Sequence, residues 1–425
     1  MSEATFQAPV GTHDVLGPES QLWEGVVAAF AQLAYRYGFS MVVSPLFEDV
    51  GVFHRGIGEA SEVARKEMYV FEDRGGRRLA LRPEGTASLV RAFVQHHPVT
   101  PWRAWYLTPA FRYERPQAGR FRQHHQLGVE VLGSDDPAID VEVIALAERF
   151  FRAVGITKFR LLINSMGHDV CRGAYVEVLR GYLGEHQDEL CDEHLKNWSL
   201  NPLRVLDCKK PSCTAVTTSG PQLPDYLCDD CRTHFASVVH GLEAIGIASV
   251  LSPRLVRGFD YYTRTTFEFV SDVLDAAQNA LGGGGRYDKL AEELGGDPTS
   301  GIGFGVGVER LLLVRAAEGA TTPLLKRSID LFVIDTTTHD AATTLVDELR
   351  DAGYAVLRAY DQRSMKSQMK VADRSGARLA LLIGPQEFAS NEVTIRDLRS
   401  QDFEQAQTRV PRSAIVSAVA QQLSK

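Results

Sequence analysis

Residues 105–133, WYLTPAFRYERPQAGRFRQHHQLGVEVLG, read as strand, loop, strand with charge placed where a simple core would have none. Side chains alternate along a strand, so Arg112 and Glu114 share one face, and Phe111 and Tyr113 the other. On the return strand Gln126, Gly128 and Glu130 point one way, and Leu127, Val129 and Val131 the other. Two half-apolar strands thus present Arg, Glu, Gln and Glu on one surface, which predicts a site. The loop from Arg115 to His125 carries three arginines and two histidines around Pro116 and Gly119, which suits closure over a polyanion.

Outward from this hairpin, 425 residues exceed one ordinary core, so two or three domains are expected. Residues 1–20 lack a basic segment leading into an apolar run, and no stretch of about 20 apolar residues follows, so neither secretion nor membrane insertion is expected. A net charge of −8 argues against indiscriminate nucleic-acid binding. Residues 326–425 hold 14 of the 46 basic and 13 of the 54 acidic residues, so the acidity lies in the larger part. Six cysteines in such a chain point to a reducing compartment and to metal sooner than disulfides.

Pro18 opens an amphipathic helix running to about Tyr37, followed by a short strand, Ser40–Ser44, closed by Pro45. Residues 78–95 read as a strand stopped by Pro83, then a helix beginning near Gly85 or Thr86, which puts Glu84 and Thr86 at a helix start. A helix is expected from Pro137 to Val154. Residues 164–250, with helical patterns at Tyr175–Leu183 and His234–Ile245, interrupt the strand-rich part as an insertion. Cys208, Cys213, Cys228 and Cys231 form C-x4-C-x14-C-x2-C there, close to a tetrahedral zinc spacing, with four thiols in a small core as the alternative.

Arg257-Gly258-Phe259-Asp260-Tyr261-Tyr262 sets an arginine before a turn and paired tyrosines, the lining of a pocket. Gly282–Gly285 reads as a glycine turn opening a helix, with no P-loop Lys-Ser/Thr after it, and GIGFGVGVER lacks dinucleotide-fold spacing. Glycines 301, 303, 305 and 307 allow close backbone approach, and Arg310 in the first turn of the helix Val308–Val314 calls for a compensating anion. Thr321–Ser328 is a linker. Strands at Ile329–Asp335, Ala355–Arg358, Leu379–Ile383 and Val393–Asp397 alternate with helices at Asp340–Ala352, Ser364–Ser375 and Ala414–Leu423, a separate α/β domain. On it Lys366, Lys370 and Arg374 recur every fourth residue.

FRYERPQAGRFRQHHQLGVEVLG resembles the second signature motif of class II aminoacyl-tRNA synthetases, and with RPEGT and the Arg257–Tyr262 run it resembles the histidyl-tRNA synthetases of subclass IIa. The likeness extends over essentially the whole chain. It implies an α+β fold: an antiparallel-sheet catalytic domain at 1–163 and 251–320, with motif 1 at about 18–45 and motif 3 at about 301–314. It also implies a mainly helical insertion at 164–250 and a C-terminal α/β anticodon-binding domain at 329–425. The implied activity is ATP-dependent formation of histidyl-adenylate and transfer of histidine to tRNA(His), with Mg²⁺, in a cytoplasmic homodimer formed through motif 1.

By motif, the resemblance places Arg112 and Arg257 on the α-phosphate as the catalytic cations, Glu114 on the adenine edge, and Arg120 and Arg310 with ATP, Arg310 on the γ-phosphate. Glu84, Thr86 and Gln126 would hold the backbone of histidine, Glu130 and Tyr262 its imidazole, with Gly85 and Tyr261 also in the histidine site. Arg115 and Gln117, with Lys366, Lys370 and Arg374, are candidate tRNA contacts. The alternative is a synthetase-like regulatory subunit of histidine biosynthesis without aminoacylation, disfavoured by the C-terminal domain and the intact signatures.

Overall fold

The computed structural model describes residues 6–58, 61, 63–274, 279–321, 324, 328–337, 340–360, 363–400 and 407–424. Of the expected linker, only residues 321, 324 and 328 fall within these.

The hairpin forms, but its first strand ends at Phe111, so Arg112 and Glu114 lie in the loop beyond it and not on an alternating strand face. Trp102–Phe111 and Gln123–Leu132 pair antiparallel from Trp102 opposite Leu132 to Phe111 opposite Gln123. They lie inside an eight-stranded sheet in the order Ser40–Met41, Trp102–Phe111, Gln123–Leu132, Gly301–Gly307, Ala280–Arg286, Thr263–Ser271, Phe159–Ser165, Ser249–Leu251. The two outermost pairs are parallel and the rest antiparallel. One face is packed as a core: Leu127, Val129 and Val131 meet Phe30 of the helix Glu19–Arg36 and Val143, Phe150 and Phe151 of the helix Pro137–Ala153.

The expected glycine turn at Gly282–Gly285 is instead the centre of the sheet, within the strand Ala280–Arg286. Glycine is disfavoured in strands on entropic grounds, so packing must demand it. A Cβ on Gly284 would stand 1.9 Å from the carbonyl oxygen of Gly303, and one on Gly303 would stand 1.8 Å from Glu130 Oε2. Gly283 pairs with Gly305 and Gly285 with Gly303, so two glycine-rich strands lie side by side and leave room above them. Arg286 ends this strand fully buried, on Asp140 Oδ1 at 2.6 Å, and Asp140 Oδ2 in turn meets His234 Nε2 at 2.9 Å. That network pins the sheet to the helices Pro137–Ala153 and Asp229–Ala244.

Within the stretch expected as an insertion a second small core gathers, drawn from Met166, Tyr175, Leu179, Leu183, Val205 and Val216 among others. Its elements are short: besides the helix Asp169–Glu185 they include four-residue helices at Asp192–Leu195 and Leu203–Leu206. The chain divides into two compact units, Met1–Leu325 and Lys326–Lys425. The second is a five-stranded sheet ordered Val356–Arg358, Leu331–Asp335, Leu379–Ile383, Glu392–Asp397, Gln407–Pro411, with the first three strands parallel. Its last strand and the helix Pro385–Ser390 are additions to the sequence reading.

Candidate active site

The polar face of the hairpin is roofed by the helix Thr86–His96, whose start is fixed by Pro83 and by Glu84, whose Oε1 accepts from Ala87 N–H at 3.3 Å. Gln126 reaches up from the sheet to accept from the Gly85 N–H at 2.9 Å. Tyr106 runs between them, and a Cβ on Gly85 or on Gly128 would come within 2.3 Å and 2.4 Å of it. Glycine at both positions lets a tyrosine pass beneath the roof.

Two buried carboxylates lie in this chamber. Glu130 accepts from Thr86 Oγ1 at 2.7 Å, from the Tyr106 hydroxyl at 3.3 Å and, through its other oxygen, from the Tyr287 hydroxyl. Glu84 accepts from the Tyr261 hydroxyl at 2.9 Å. Burial pushes the Glu130 carboxyl up to about 8 despite these hydrogen bonds, with the charge of Glu84 adding to the rise. Burial likewise pushes Glu84 up to about 7, against the Tyr261 hydrogen bond and the fields of Arg112 and Arg257. A buried carboxylate that still has open valence is the partner a cationic or N–H-bearing ligand requires.

Two guanidinium groups border the carboxylates. Arg112 donates from Nε to the Pro83 carbonyl at 2.9 Å and lies 5.6 Å from the Phe259 ring. Arg257 pairs with Glu268 Oε2 at 2.7 Å and stands over the Tyr262 ring at 5.6 Å. Thr86 donates to Glu130, and Tyr262 packs against Tyr261 beneath Arg257.

A second group of cations gathers around the hairpin loop. Gln117 and Arg120 close it with paired backbone hydrogen bonds of 3.0 and 2.9 Å, and Arg120 Nε meets Glu114 Oε2 at 3.1 Å. Arg310 reaches the Gly119 carbonyl at 3.4 Å from the helix Val308–Ala317. Burial, and then the neighbouring Arg120, hold Arg310 below its ordinary value, as expected of cations converging where an anion is to sit. Arg115 and Gln117 are exposed on the same loop. Glu309, unmarked in the sequence reading, caps the neighbouring strand by accepting from His125 N–H with both oxygens at 3.0 Å. On the second unit, Lys366, Lys370 and Arg374 are all exposed along the helix Met365–Ser375.

The four-cysteine zinc site does not assemble. Cys228 and Cys231 gather with His168 and Cys171, whereas Cys208 and Cys213 gather with Cys191 and His194. The spacing read along the chain joined halves of two different clusters, because each pair folds against the first turn of a different helix.

A profile described as histidyl-tRNA synthetase matches residues 11–173 and 218–311, and one described as anticodon binding domain matches residues 328–422. A protein of Halothermothrix orenii named histidine–tRNA ligase is 46% identical over 399 residues, 93% of this chain and 95% of its own length. One of Corynebacterium kroppenstedtii with the same name is 45% identical over 424 residues, 99% of this chain and 98% of its own. The crystal structure of apo histidyl-tRNA synthetase from S. aureus superposes with a TM-score of 0.81 at 31% identity, covering 98% of this chain and all of that one.

Proposed function

The chain belongs to the histidyl-tRNA synthetase family, and on that premise we propose how its chamber divides the work of charging tRNA with histidine. The overall reaction joins histidine to tRNA at the expense of ATP, which enters as its Mg²⁺ complex. In the first half, a carboxylate oxygen of histidine attacks the α-phosphorus and pyrophosphate leaves. In the second, a hydroxyl at the 3′ end of tRNA(His) attacks the activated carbonyl and AMP leaves. No nucleophile of the protein enters either step, so positioning and neutralisation of charge supply the rate.

One observation carries the assignment: two buried carboxylates, Glu84 and Glu130, lie beside two fixed guanidinium groups, Arg112 and Arg257, over a floor of glycine. Carboxylates answer the ammonium and the imidazole of histidine; guanidinium groups answer phosphate. Glu84, Gly85, Thr86 and Gln126 hold the amino-acid backbone. Glu130 takes the imidazole, with Tyr261 and Tyr262 as walls. Arg112 and Arg257 flank the α-phosphate, Glu114 reads the adenine edge, and Arg120 and Arg310 meet the outer phosphates. Pyrophosphate exchange with each of the twenty amino acids tests this reading. Exchange with histidine alone is expected, and exchange with another amino acid, or with none, would sink it.

A second copy of the chain completes the assembly. Met41, Val43, Leu46 and Phe47 are exposed along the run of chain that begins in the edge strand Ser40–Met41 of the large sheet, and the exposed Phe71 joins Phe47 by ring contact at 6.1 Å. An apolar band of this kind supports a dimer face, and sedimentation at micromolar concentration distinguishes a dimer from a monomer. Arg115, Gln117, Lys366, Lys370 and Arg374 offer the tRNA backbone exposed donors. We place the activity in the cytoplasm, with which six free cysteines agree. Among the described residues no helix is long and apolar enough to cross a membrane.

A further inference from the structure

We propose that the insertion holds two structural zinc ions, one in each of its thiol-imidazole clusters. The first cluster is His168, Cys171, Cys228 and Cys231, and the second is Cys191, His194, Cys208 and Cys213. In each, the four candidate ligand atoms lie within 4.8 Å of one another. With Zn–S near 2.3 Å and Zn–N near 2.0 Å, a tetrahedral ion sets its ligands about 3.5–3.8 Å apart. His168 Nδ1 is 3.1 Å from Cys171 Sγ, 4.0 Å from Cys228 Sγ and 3.5 Å from Cys231 Sγ. His194 Nδ1 is 3.2 Å from Cys191 Sγ and 3.9 Å from Cys213 Sγ. Three thiolates and one imidazole form a soft, closed donor set, which selects zinc in a structural rather than a catalytic role.

The backbone is arranged for it. In the first cluster the pairs are H-x2-C and C-x2-C, each set at the first turn of a helix, with His168 preceding Asp169–Glu185 and Cys228 preceding Asp229–Ala244. The second cluster uses C-x2-H at the helix Asp192–Leu195 and C-x4-C leading into Pro211–Ser219. The Cys228 N–H points at Cys171 Sγ at 3.1 Å and the Cys191 N–H at Cys213 Sγ at 3.3 Å, the hydrogen bonds that fix thiolates around an ion. None of the six cysteines is in a disulfide. Helices of four residues have little stability of their own, and a core this small ordinarily needs a staple. The second cluster lies wholly within residues 174–217, the stretch left out of the histidyl-tRNA synthetase match.

Both clusters reach the Arg257 segment by one further hydrogen bond. Arg254 donates to the carbonyls of Leu206 and Cys208 at 3.1 and 3.0 Å, and Arg172, one residue after Cys171, donates to the carbonyl of Tyr262 at 2.8 Å. The ions thereby brace residues 254–262 from outside the chamber.

Elemental analysis of native protein purified without chelator tests the proposal independently of activity. Two zinc ions per chain are expected, with Cys228→Ser/Cys231→Ser and Cys208→Ser/Cys213→Ser each retaining one. Should either variant fail to fold, mercurial titration of the native protein still decides, releasing one zinc for every three thiols modified. Fewer than two zinc ions per native chain, or thiols that react without releasing zinc, would overturn it. Hydrogen exchange over residues 254–262 should quicken in zinc-stripped protein, and unchanged exchange would overturn the brace.

Discussion

The chamber on the large sheet and the cationic helix on the second unit handle charge in opposite ways. In the chamber, carboxylates and guanidinium groups are enclosed, each held by named donors or acceptors before any substrate arrives. On the helix Met365–Ser375, Lys366, Lys370 and Arg374 stand in water with long side chains still free to choose rotamers. Preorganised groups in a low dielectric contribute strongly to a developing charge, whereas exposed ones give modest, salt-screened attraction. The difference matches the proposed division between a site for a small substrate, where geometry is everything, and a surface for a macromolecule, where many weak contacts add.

The sharpest way to break this contrast is at Arg257. If its guanidinium is the preorganised cation of adenylation, Arg257→Ala slows single-turnover adenylate formation by roughly 10²–10³, with tRNA affinity nearly intact. Arg257→Lys restores only part, since a point charge does not reproduce the planar fork. A native adenylation rate in Arg257→Ala would leave Arg112 and Mg²⁺ as the stabilisers of the α-phosphate. Next comes the floor: Gly284→Ala forces a methyl group onto the Gly303 carbonyl and should cost about 3 kcal/mol in denaturant unfolding. An unfolding midpoint like that of the native chain would show that the two strands can part.

Glu130→Gln keeps the shape and removes the carboxyl that would ionise against a bound imidazole. Its expected effect is a rise of about 10- to 100-fold in KM for histidine with KM for ATP little changed, in line with a lost charged hydrogen bond. Equal rises for both substrates would remove Glu130 from histidine selection. Protonation of Glu84 gives a smaller effect of definite sign. Its carboxyl, pushed up to about 7, is mostly neutral at about pH 6 and ionised at about pH 8. Only the ionised form attracts an ammonium, so KM for histidine should fall as pH rises through this window. Comparison with Glu84→Gln, whose profile should be flatter, subtracts the titration of histidine itself. Smallest of all, replacing Lys366, Lys370 and Arg374 by Gln should weaken tRNA binding a few-fold and flatten its dependence on salt by about 0.7–0.9 per lost phosphate contact. An unchanged salt slope would assign the helix to solvent.

The legible parts of the molecule are those where a side chain's neighbours are set by period alone. The hairpin was readable because period two puts Gln126 and Glu130 on the face opposite Leu127 and Val129. Tyr106 and Tyr287 were missed as partners of Glu130 because an aromatic residue in or beside a strand is ordinarily core, and nothing local says that its hydroxyl meets a carboxylate. The four glycines at 282–285 read as a turn because composition favours one, while the clash that forbids a side chain comes from strands distant in sequence. The two thiol-imidazole clusters were misjoined because cysteines were counted alone. The signal was present in His168-x2-Cys171 and Cys191-x2-His194, where a histidine at the same spacing substitutes for a cysteine.

The paired glycine strands also limit how the enzyme can be redesigned. A floor made of peptide backbone offers the same surface whatever sits on it, and none of Gly283, Gly285, Gly303 and Gly305 can take a side chain without a collision. On the proposed placement of histidine, an attempt to admit an unnatural analogue has therefore to work through the residues around that floor, where Gln126, Thr86 and the tyrosines can still be varied.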